Sequence, residues 1–411
     1  MTRLRSAVAL AAGRAAGWAS RVTGRGAGEQ ISGRVMLRLD PGLLRALASD
    51  QRVVLVSATN GKTTMTHFLA SALEAAGEHV ISNVTGANLA SGLVAALQRA
   101  EGPGIAVLEV DERVLPTVMD ALRPELLVLG NLSRDQLDRY GEVGSVTTSW
   151  RAVAERSETP AIVANSSDPA VVWAAEPARP TWVRLGMRWR QDASTCPRCS
   201  AILEWTDDSF RCTSCGFAQP AEAACLDGAA LVLGERRVPI ELSIPGEWNI
   251  ANAALAIVAA THFGIDVADA ARAIADISTV SGRYALHTLP DGRHARVLLA
   301  KNPAGWSEVL RWLGERDSGV VIALNAHIAD GRDPSWLWDV PFELLRSHSV
   351  AAAGERALDV AVRLDYAGIP ITVEDDALAA ASKVAGRDVQ IVASYTQFTA
   401  ISRRLRRRTR Q

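Results

Sequence analysis

Lysine is nearly missing from this sequence. Among 44 basic residues only Lys62, Lys301 and Lys383 are lysines. No side-chain amine is therefore available between 62 and 301, and a lysine kept against such a bias calls for a reason. Cysteine is sparse as well: there are five, four of them in two tight pairs, with Cys225 alone. That pattern excludes the disulfide framework of a small secreted protein. No apolar run reaches the ~18–20 residues that cross a bilayer. Overall charge is absent too, the formal net being −1, which removes any global electrostatic preference for nucleic acid. Acid is missing only locally: residues 1–28 hold Arg3, Arg5, Arg14, Arg21 and Arg25 and neither Asp nor Glu. The apolar stretch Ala7–Gly13 is short for a signal peptide, and no clear cleavage pattern follows it. The preferred reading is a helix packed on the first domain, and the alternative is a basic amphipathic helix at a membrane surface. The chain is expected to be cytoplasmic, and in the alternative reading peripheral at the inner face of the membrane.

What is present is a soluble, globular composition, 48% hydrophobic and 22% charged over 411 residues, enough for two domains and an insertion. Arg52–Val56 reads as a buried strand followed by a glycine loop and a helix to about Ala76. Short apolar runs at Gly104–Val110, Glu125–Leu129 and Ala161–Ala164 repeat the rhythm, with helical patterns between them. Such alternation implies parallel βαβ units in a doubly wound sheet. The rhythm breaks between Gln191 and Ala224 and resumes with a helix over Asn249–His262. After a boundary near Ser281–Leu286, a second α/β unit is expected, with strands near Arg296–Leu299, Gly319–Leu324, Ser349–Ala352 and Val389–Ala393.

Ser57-Ala58-Thr59-Asn60-Gly61-Lys62-Thr63-Thr64 joins the first strand to its helix. Amides at a helix start point at phosphate oxygens and the helix dipole favours the anion. Gly61 allows close backbone approach, Lys62 reaches the β- and γ-phosphates, and the Thr63 hydroxyl suits Mg²⁺. Val56 holds the place of the leading glycine of the general phosphate-loop pattern. An ordinary strand-to-helix turn explains neither the lysine nor the paired threonines. Glu109 and Asp111 come at the C-terminal end of the strand Gly104–Val110, at the carboxyl side of the sheet where ligands bind. Glu109 is the better candidate for Mg²⁺, and a solvated loop acid is the plain alternative for both.

Cys196-Pro197-Arg198-Cys199 and Cys212-Thr213-Ser214-Cys215 form CxxC-x12-CxxC. Two such knuckles bring four thiolates to one tetrahedral Zn²⁺, and redox or disulfide use is the rival. With all four positions filled by protein the metal would be structural. Cys225 reads as a small packed hydrophobe.

The TNGKTT loop, Glu109, Asn131-Leu132-Ser133-Arg134-Asp135-Gln136-Leu137-Asp138, Gly246-Glu247-Trp248-Asn249-Ile250-Ala251-Asn252-Ala253-Ala254 and Gly282-Arg283 together resemble the Mur ligase family. In that family a carboxylate attacks the γ-phosphate of ATP, and an amine then displaces phosphate from the acyl-phosphate. The resemblance implies Thr59, Asn60, Gly61, Lys62, Thr63, Thr64, Asn249, Asn252 and Arg283 at the nucleotide, with Asn252 favoured for the adenine. The amino-acid-adding members generally carry a His where Gln136 stands and a carbamylated Lys in the central domain, which this chain cannot supply. Only about 50 residues precede the loop, too few for their N-terminal substrate domain. Both departures match the MurT-like branch, the ligase subunit of lipid II isoglutaminyl synthase, which carries a ribbon at the cysteines. Lys301-Asn302-Pro303-Ala304-Gly305-Trp306, Ala329-Asp330-Gly331-Arg332-Asp333-Pro334-Ser335-Trp336-Leu337-Trp338-Asp339 and the Ser20–Arg45 region are similar to the same branch.

The expected fold is α/β: a basic helical segment (1–45), a P-loop Mur-ligase central domain (46–288) with a zinc-ribbon insertion (191–224), and a Rossmann-like C-terminal domain (289–411). The activity implied is ATP-dependent amidation of the D-Glu α-carboxylate of lipid II to D-isoglutamine, at the membrane surface, with Mg²⁺. Lipid II and an earlier precursor are not separated. No glutaminase nucleophile stands out, so the resemblance implies a GatD-like glutamine amidotransferase partner that releases ammonia. This branch lends that partner an acid to orient its His. Asp333 and Asp330 are the candidates, Asp333 slightly ahead, against a reading in which both only cap a turn or pair with Arg332. Trp336 and Trp338 fit a partner interface or core packing. The arginine run Arg403, Arg404, Arg406, Arg407, Arg408 and Arg410 fits a solvated tail or an anionic-membrane patch. The rivals are a stand-alone Mur-type ligase joining an amino acid and a zinc-ribbon ATPase on nucleic acid. Glu204, Asp207 and Asp208 offset Arg198 and Arg211 around the cysteines, against the second.

Overall fold

The computed structural model describes residues 2–23, 28–83, 87–135, 143–207 and 209–408. Two compact units emerge. One takes residues 1–132, 143–243 and 249–276, and the other takes 133–142, 244–248 and 277–411. Gln136, Leu137, Asp138, Asp208, Arg25 and Arg410 lie outside the described residues.

The first unit is organised by β1 (Gln51–Ser57), whose last five residues are buried. The other strands are β2 (Val80–Ser82), β3 (Gly104–Glu109), β4 (Leu126–Leu129), β5 (Ala161–Asn165), β6 (Thr181–Arg184), β9 (Ala224–Asp227), β10 (Ala230–Leu233) and β11 (Arg236–Pro239). Among the described residues they form one sheet in the order β11-β10-β9-β6-β5-β4-β1-β3-β2. Its apolar runs, such as Val53–Val56 and Leu126–Leu129, are buried on both faces, as a parallel sheet requires. Pairing is parallel from β2 through to β9. β9, β10 and β11 then make an antiparallel meander. The expected rhythm went directly to a helix here. The signal for the hairpins is present in Asp227-Gly228 and in Gly234, glycines at positive φ that open two-residue turns.

Among the described residues, three helices precede β1: α1 (Thr2–Val22), α2 (Glu29–Leu39) and α3 (Leu43–Ala48). Small residues let α1 and α2 touch. A Cβ on Gly13 would stand 2.4 Å from Met36 Cγ. In turn α2 lies on α5 (Ala90–Leu97), where a Cβ on Gly33 would be 1.8 Å from the Ser91 carbonyl oxygen. The N-terminal segment is thus packed on the first unit. After β1 comes α4 (Lys62–Ala75), which buries Met65, Phe68, Leu69 and Leu73. Glu247–Thr261 is a helix buried over most of its circumference.

Between β6 and β9 the chain leaves the sheet for a small two-stranded element, β7 (Glu204–Trp205) with β8 (Phe210–Arg211). Leu203, Phe210 and Phe217 are buried there against Val172, Cys196 and Cys212.

The second unit is a sheet of β12 (Leu286–Thr288), β13 (His294–Leu299), β14 (Ser318–Ala323), β15 (Val350–Ala353), β16 (Ile371–Glu374) and β17 (Asp388–Ala393). Its order is β12-β13-β17-β14-β15-β16, parallel except for β12. Separate apolar clusters cover the two faces, one around Trp306, Leu310 and Phe342 and one around Ala381, Ile401 and Leu405. Lys301-Asn302-Pro303 has a local structural sense. The Asn302 side chain caps the helix Pro303–Gly314 by accepting from the Gly305 amide at 2.9 Å, with Pro303 in the first turn. Among the described residues no helix is long and apolar enough to cross a membrane.

Candidate functional site

Strand order reverses around β1, which lies between β3 and β4. The crevice beyond the carboxyl end of such a strand is where an open α/β sheet takes its ligand. Register brings the relevant residues level: Val56 pairs with Glu109 and Ser57 with Leu129. The Ser57 hydroxyl donates to the Val110 carbonyl at 2.9 Å, tying the base of the loop to β3.

From there the loop runs to Gly61 at φ +87°, a left-handed conformation that favours glycine. Space demands glycine a second time, because a Cβ on Gly61 would lie 2.2 Å from Asn252 Oδ1. Asn252 projects from the helix Glu247–Thr261, and its Nδ2 donates to Asn249 Oδ1 at 3.5 Å. Asn249 is fully buried. The two asparagines thus share one helix face against the loop. Asn131 braces the loop from β4's end. Its carbonyl accepts from the Thr59 amide at 2.7 Å, its Oδ1 accepts from the Asn60 amide at 3.0 Å, and its Nδ2 donates to the Asn60 carbonyl at 2.9 Å.

Lys62 opens α4 and is 6% exposed. Its Nζ donates to the Ala58 carbonyl, to the Thr59 carbonyl at 3.4 Å and to Glu112 Oε2 at 2.8 Å. Thr63 Oγ1 donates to Glu109 Oε2 at 2.7 Å, and Asn88 Nδ2 reaches Glu109 Oε1 at 3.4 Å. Asn83 holds the Glu109 backbone on both sides, at 2.8 Å each. Thr64 is buried one residue further along. Asp111 instead turns its carboxylate to the Arg113 amide at 3.1 Å. The cradle, one cation, the helix start and a hydroxyl–carboxylate pair suit a polyphosphate, and Thr63 with Glu109 is a hard-oxygen donor set of the kind Mg²⁺ takes.

Two residues here were passed over by the sequence reading. Glu112 pairs with Lys62, and its carbonyl accepts from Trp150 Nε1 at 2.8 Å. The run Glu109-Val110-Asp111-Glu112 offered three acids, and spacing alone does not say which one meets the lysine. Asn131, the loop's brace, opens the Asn131–Asp138 motif, and the motif alone does not show that it reaches back to Thr59 and Asn60.

The four paired cysteines come together with all Sγ atoms within 4.8 Å of one another. Cys196 and Cys215 are 3.7 Å apart, Cys199 and Cys212 3.5 Å. These separations exceed a disulfide bond and sit near the ~3.8 Å edge of a tetrahedron with metal–sulfur bonds of ~2.3 Å. The two knuckles match in detail. Each first cysteine's carbonyl accepts from a residue four positions on, Ser200 or Gly216, and both of those residues have positive φ. The cluster could hold one metal ion.

The remaining candidates belong to the second unit. Arg283 sits in a turn among Ser281, Gly282 and Tyr284, all at positive φ, and its amide donates to the Val280 carbonyl at 2.9 Å. Asp330 is 5% exposed and engaged on both oxygens: Oδ1 accepts from the Thr396 amide at 2.8 Å, and Oδ2 from the Thr396 hydroxyl at 2.6 Å and the His327 amide at 3.2 Å. Asp333 is exposed, accepts from the Ser335 amide at 2.8 Å, and is held below the usual carboxylate range by Ser335's backbone and hydroxyl. Trp336 joins the core beside Trp306, whereas Trp338 is 56% exposed. In the C-terminal arginine run, Arg404 pairs with Asp376, and the guanidinium of Arg406 lies beside Gly282.

Comparison with known proteins places this geometry. The family described as Mur ligase middle domain matches residues 56–260, and that described as MurT ligase C-terminal matches 299–398. The lipid II isoglutaminyl synthase (glutamine-hydrolyzing) subunit MurT of Staphylococcus aureus (strain COL) is 31% identical over 397 residues, covering 89% of each chain. The same subunit of Streptococcus pneumoniae (strain ATCC BAA-255 / R6) is 28% identical, covering 89% of this chain and 88% of that one. Among solved structures, a pseudomurein peptide ligase type C from Methanothermus fervidus aligns with a TM-score of 0.67 at 18% identity, over 87% of this chain and 79% of its own, a likeness of fold. With a phosphate cradle at the strand-order switch and 31% identity sustained over 89% of its length, the chain belongs to the MurT family of Mur-type, ATP-dependent ligases.

Proposed function

We propose that the chain amidates the α-carboxylate of D-Glu in lipid II, giving D-isoglutamine, with ATP as the activating substrate and ammonia from a GatD-like glutamine amidotransferase. The observation that carries this reading is the Lys62, Thr63 and Glu109 constellation at the end of β1 and β3, in a chain whose relatives bear the name lipid II isoglutaminyl synthase.

A carboxylate oxygen attacks the γ-phosphorus of ATP, the β–γ bridging P–O bond breaks and ADP leaves. Ammonia then attacks the acyl carbon, the C–O bond to phosphate breaks, and the amide forms with loss of one proton. Amides at the start of α4 and the Lys62 ammonium neutralise the charge on the transferred phosphoryl group. Gly61 lets the backbone approach, while Asn249 and Asn252 face the nucleotide and Arg283 assists it. Thr63 and Glu109 would hold Mg²⁺, which when bound would screen the phosphate oxygens. The four cysteines would hold a structural Zn²⁺, making 191–224 a zinc ribbon.

Glutamine hydrolysis is assigned to the partner, because four of the five cysteines meet in one cluster and Cys225 lies in β9, in register with Arg184 and Val232. Asp333 is the acid offered to that partner. It is exposed, and close along the chain Trp338 packs edge-on to Tyr366 at 5.2 Å, beside exposed Leu358 and Val362 on the same helix. Asp330, spent on Thr396 and His327, shapes the loop that presents it. The substrate places the work at the cytoplasmic face of the membrane.

The test is to purify the chain with its amidotransferase and supply ATP, glutamine and lipid II. Phosphate release that depends on the precursor, an amidated product, and loss of both in Lys62→Ala are expected. Nucleotide turnover indifferent to the precursor would sink the reading.

A further inference from the structure

Helix α1 is packed by one face only. Ala9, Gly13, Gly17 and Ser20 are buried, Gly13 on Met36 and Gly17 on Ser32 and the Gly28 backbone. The opposite face is solvent-exposed and apolar. Leu4 is 75% exposed, Val8 54%, Trp18 62% and Val22 66%, with exposed Ala11 and Ala15 between them. At about 100° per residue these six positions fall within about 80° of arc. Arg5 lies to one side of that arc, and Arg14 and Arg21 to the other, all three exposed. No acid occurs before Glu29.

We infer that this outer face of α1 binds the surface of an anionic lipid bilayer, lying in the interface with Leu4, Val8, Trp18 and Val22 among the acyl chains and the arginines at the headgroups. This face complements an anionic bilayer in both charge and apolar surface. A helix buried through glycine and alanine has no fold-related reason to carry a Trp and three large aliphatics outward. Such an apolar stripe bordered by cations without anions is what a headgroup–acyl boundary accepts. A protein partner would have to match the apolar stripe and supply acid along both borders. The helix lies on the bilayer and does not span it. The inference rests on the helix alone and not on the reaction proposed above, so either can fail without the other.

The experiment is flotation of the full chain with vesicles of equal parts phosphatidylglycerol and phosphatidylcholine, against phosphatidylcholine alone. Wild type should float with the anionic vesicles and bind phosphatidylcholine at least about tenfold more weakly, since each arginine near such a surface contributes about fivefold. Val8→Glu/Trp18→Glu should abolish flotation. Arg14→Glu/Arg21→Glu should lower anionic binding toward the phosphatidylcholine level. All four side chains are exposed, so thermal unfolding should match wild type. Three outcomes overturn the inference: wild type remaining with the soluble fraction, Val8→Glu/Trp18→Glu floating like wild type, or a self-association in sedimentation velocity that these variants remove, which would give the face to a second copy of the chain.

Discussion

Replacing Asp330 and Asp333 separately by Asn distinguishes a residue that builds a loop from one that faces outward. Asp330 is buried and accepts three hydrogen bonds, two from Thr396 and one from His327. Asparagine has one acceptor oxygen, so its amide nitrogen must face a donor. At least one charge-assisted bond is lost, about 1.5–3 kcal/mol, and a buried donor is stranded, about 1–3 kcal/mol. A net loss of about 3–5 kcal/mol in the second unit corresponds to a Tm lower by roughly 10 °C. Exposed Asp333 accepts from the Ser335 amide and hydroxyl, and an Asn oxygen retains the contact with the amide. Its Tm should move by no more than about 2 °C. Activity should divide the other way. With the amidotransferase present, Asp333→Asn should keep ammonium-driven amidation and lose about 10²–10⁴-fold of the glutamine-driven rate, the size of effect seen when a triad's orienting acid is neutralised. Differential scanning calorimetry and the paired nitrogen-source assay read both. Equal losses with ammonium and glutamine in Asp333→Asn, or an unmoved Tm in Asp330→Asn, would refute the reasoning.

Gly61→Ala places a methyl in a left-handed conformation, about 1–2 kcal/mol, and against Asn252. It should weaken ATP binding at least tenfold by calorimetry, and the further loss on adding it to Asn252→Ala should be smaller than the loss in wild type. The cysteine cluster should hold one zinc per chain at four sulfurs near ~2.3 Å by X-ray absorption, and Cys212→Ser should lower zinc content and Tm together. Asp168 caps the helix Pro169–Ala175 from full burial, and burial outweighs three backbone hydrogen bonds to push its carboxyl from 3.8 up to about 6. The folded chain therefore holds that proton more tightly than the unfolded one. This group lowers stability above about pH 6 and the loss is recovered as pH falls towards 3.8. Asp168→Asn keeps the cap and should flatten that part of a stability-against-pH curve measured by denaturant unfolding.

Local signals were legible where one stretch of chain settles its own structure. Arg52–Val56 announced a strand because its four consecutive apolar residues, Val53–Val56, have nowhere to go but a sheet interior. The four cysteines announced a cluster because their spacing admits little else. The helix Glu247–Thr261 was visible from its length and pattern. Signals that depend on remote partners were not legible. That Asn252 overhangs Gly61 requires two segments almost 200 residues apart to meet. The choice of Glu112 over Asp111 for Lys62 depends on the bend after β3 and on Trp150, which anchors the Glu112 carbonyl. The split between Trp336 and Trp338, one in the core and one outside, turns on the twist of a single 3₁₀ turn, Ser335–Asp339. Alternating aromatics in sequence cannot reveal it.

The three lysines that survive the arginine bias sit in different surroundings. Lys62 is buried against Glu112 and two loop carbonyls. Lys301 pairs with Asp135, whose Oδ1 is buried without a hydrogen-bond partner among the described residues. Lys383 forms a surface pair with Glu374, its side chain 55% exposed. Structure, and not composition, therefore separates two lysines held against carboxylates and mostly out of solvent from one at the surface. The physical difference is in the head group. Arginine's planar fork suits the paired carboxylate contacts that cover this surface, such as Arg236 with Asp266 and Arg52 with Glu125. A loop whose carbonyls converge on one point, with a single carboxylate oxygen at 2.8 Å, has room for a compact ammonium and none for a fork. Lys62→Arg is thus no conservative change. It keeps the charge and loses the geometry, so a nucleotide site that tolerated it would mean that charge alone, and not the position of one nitrogen, is what the loop at the end of β1 provides.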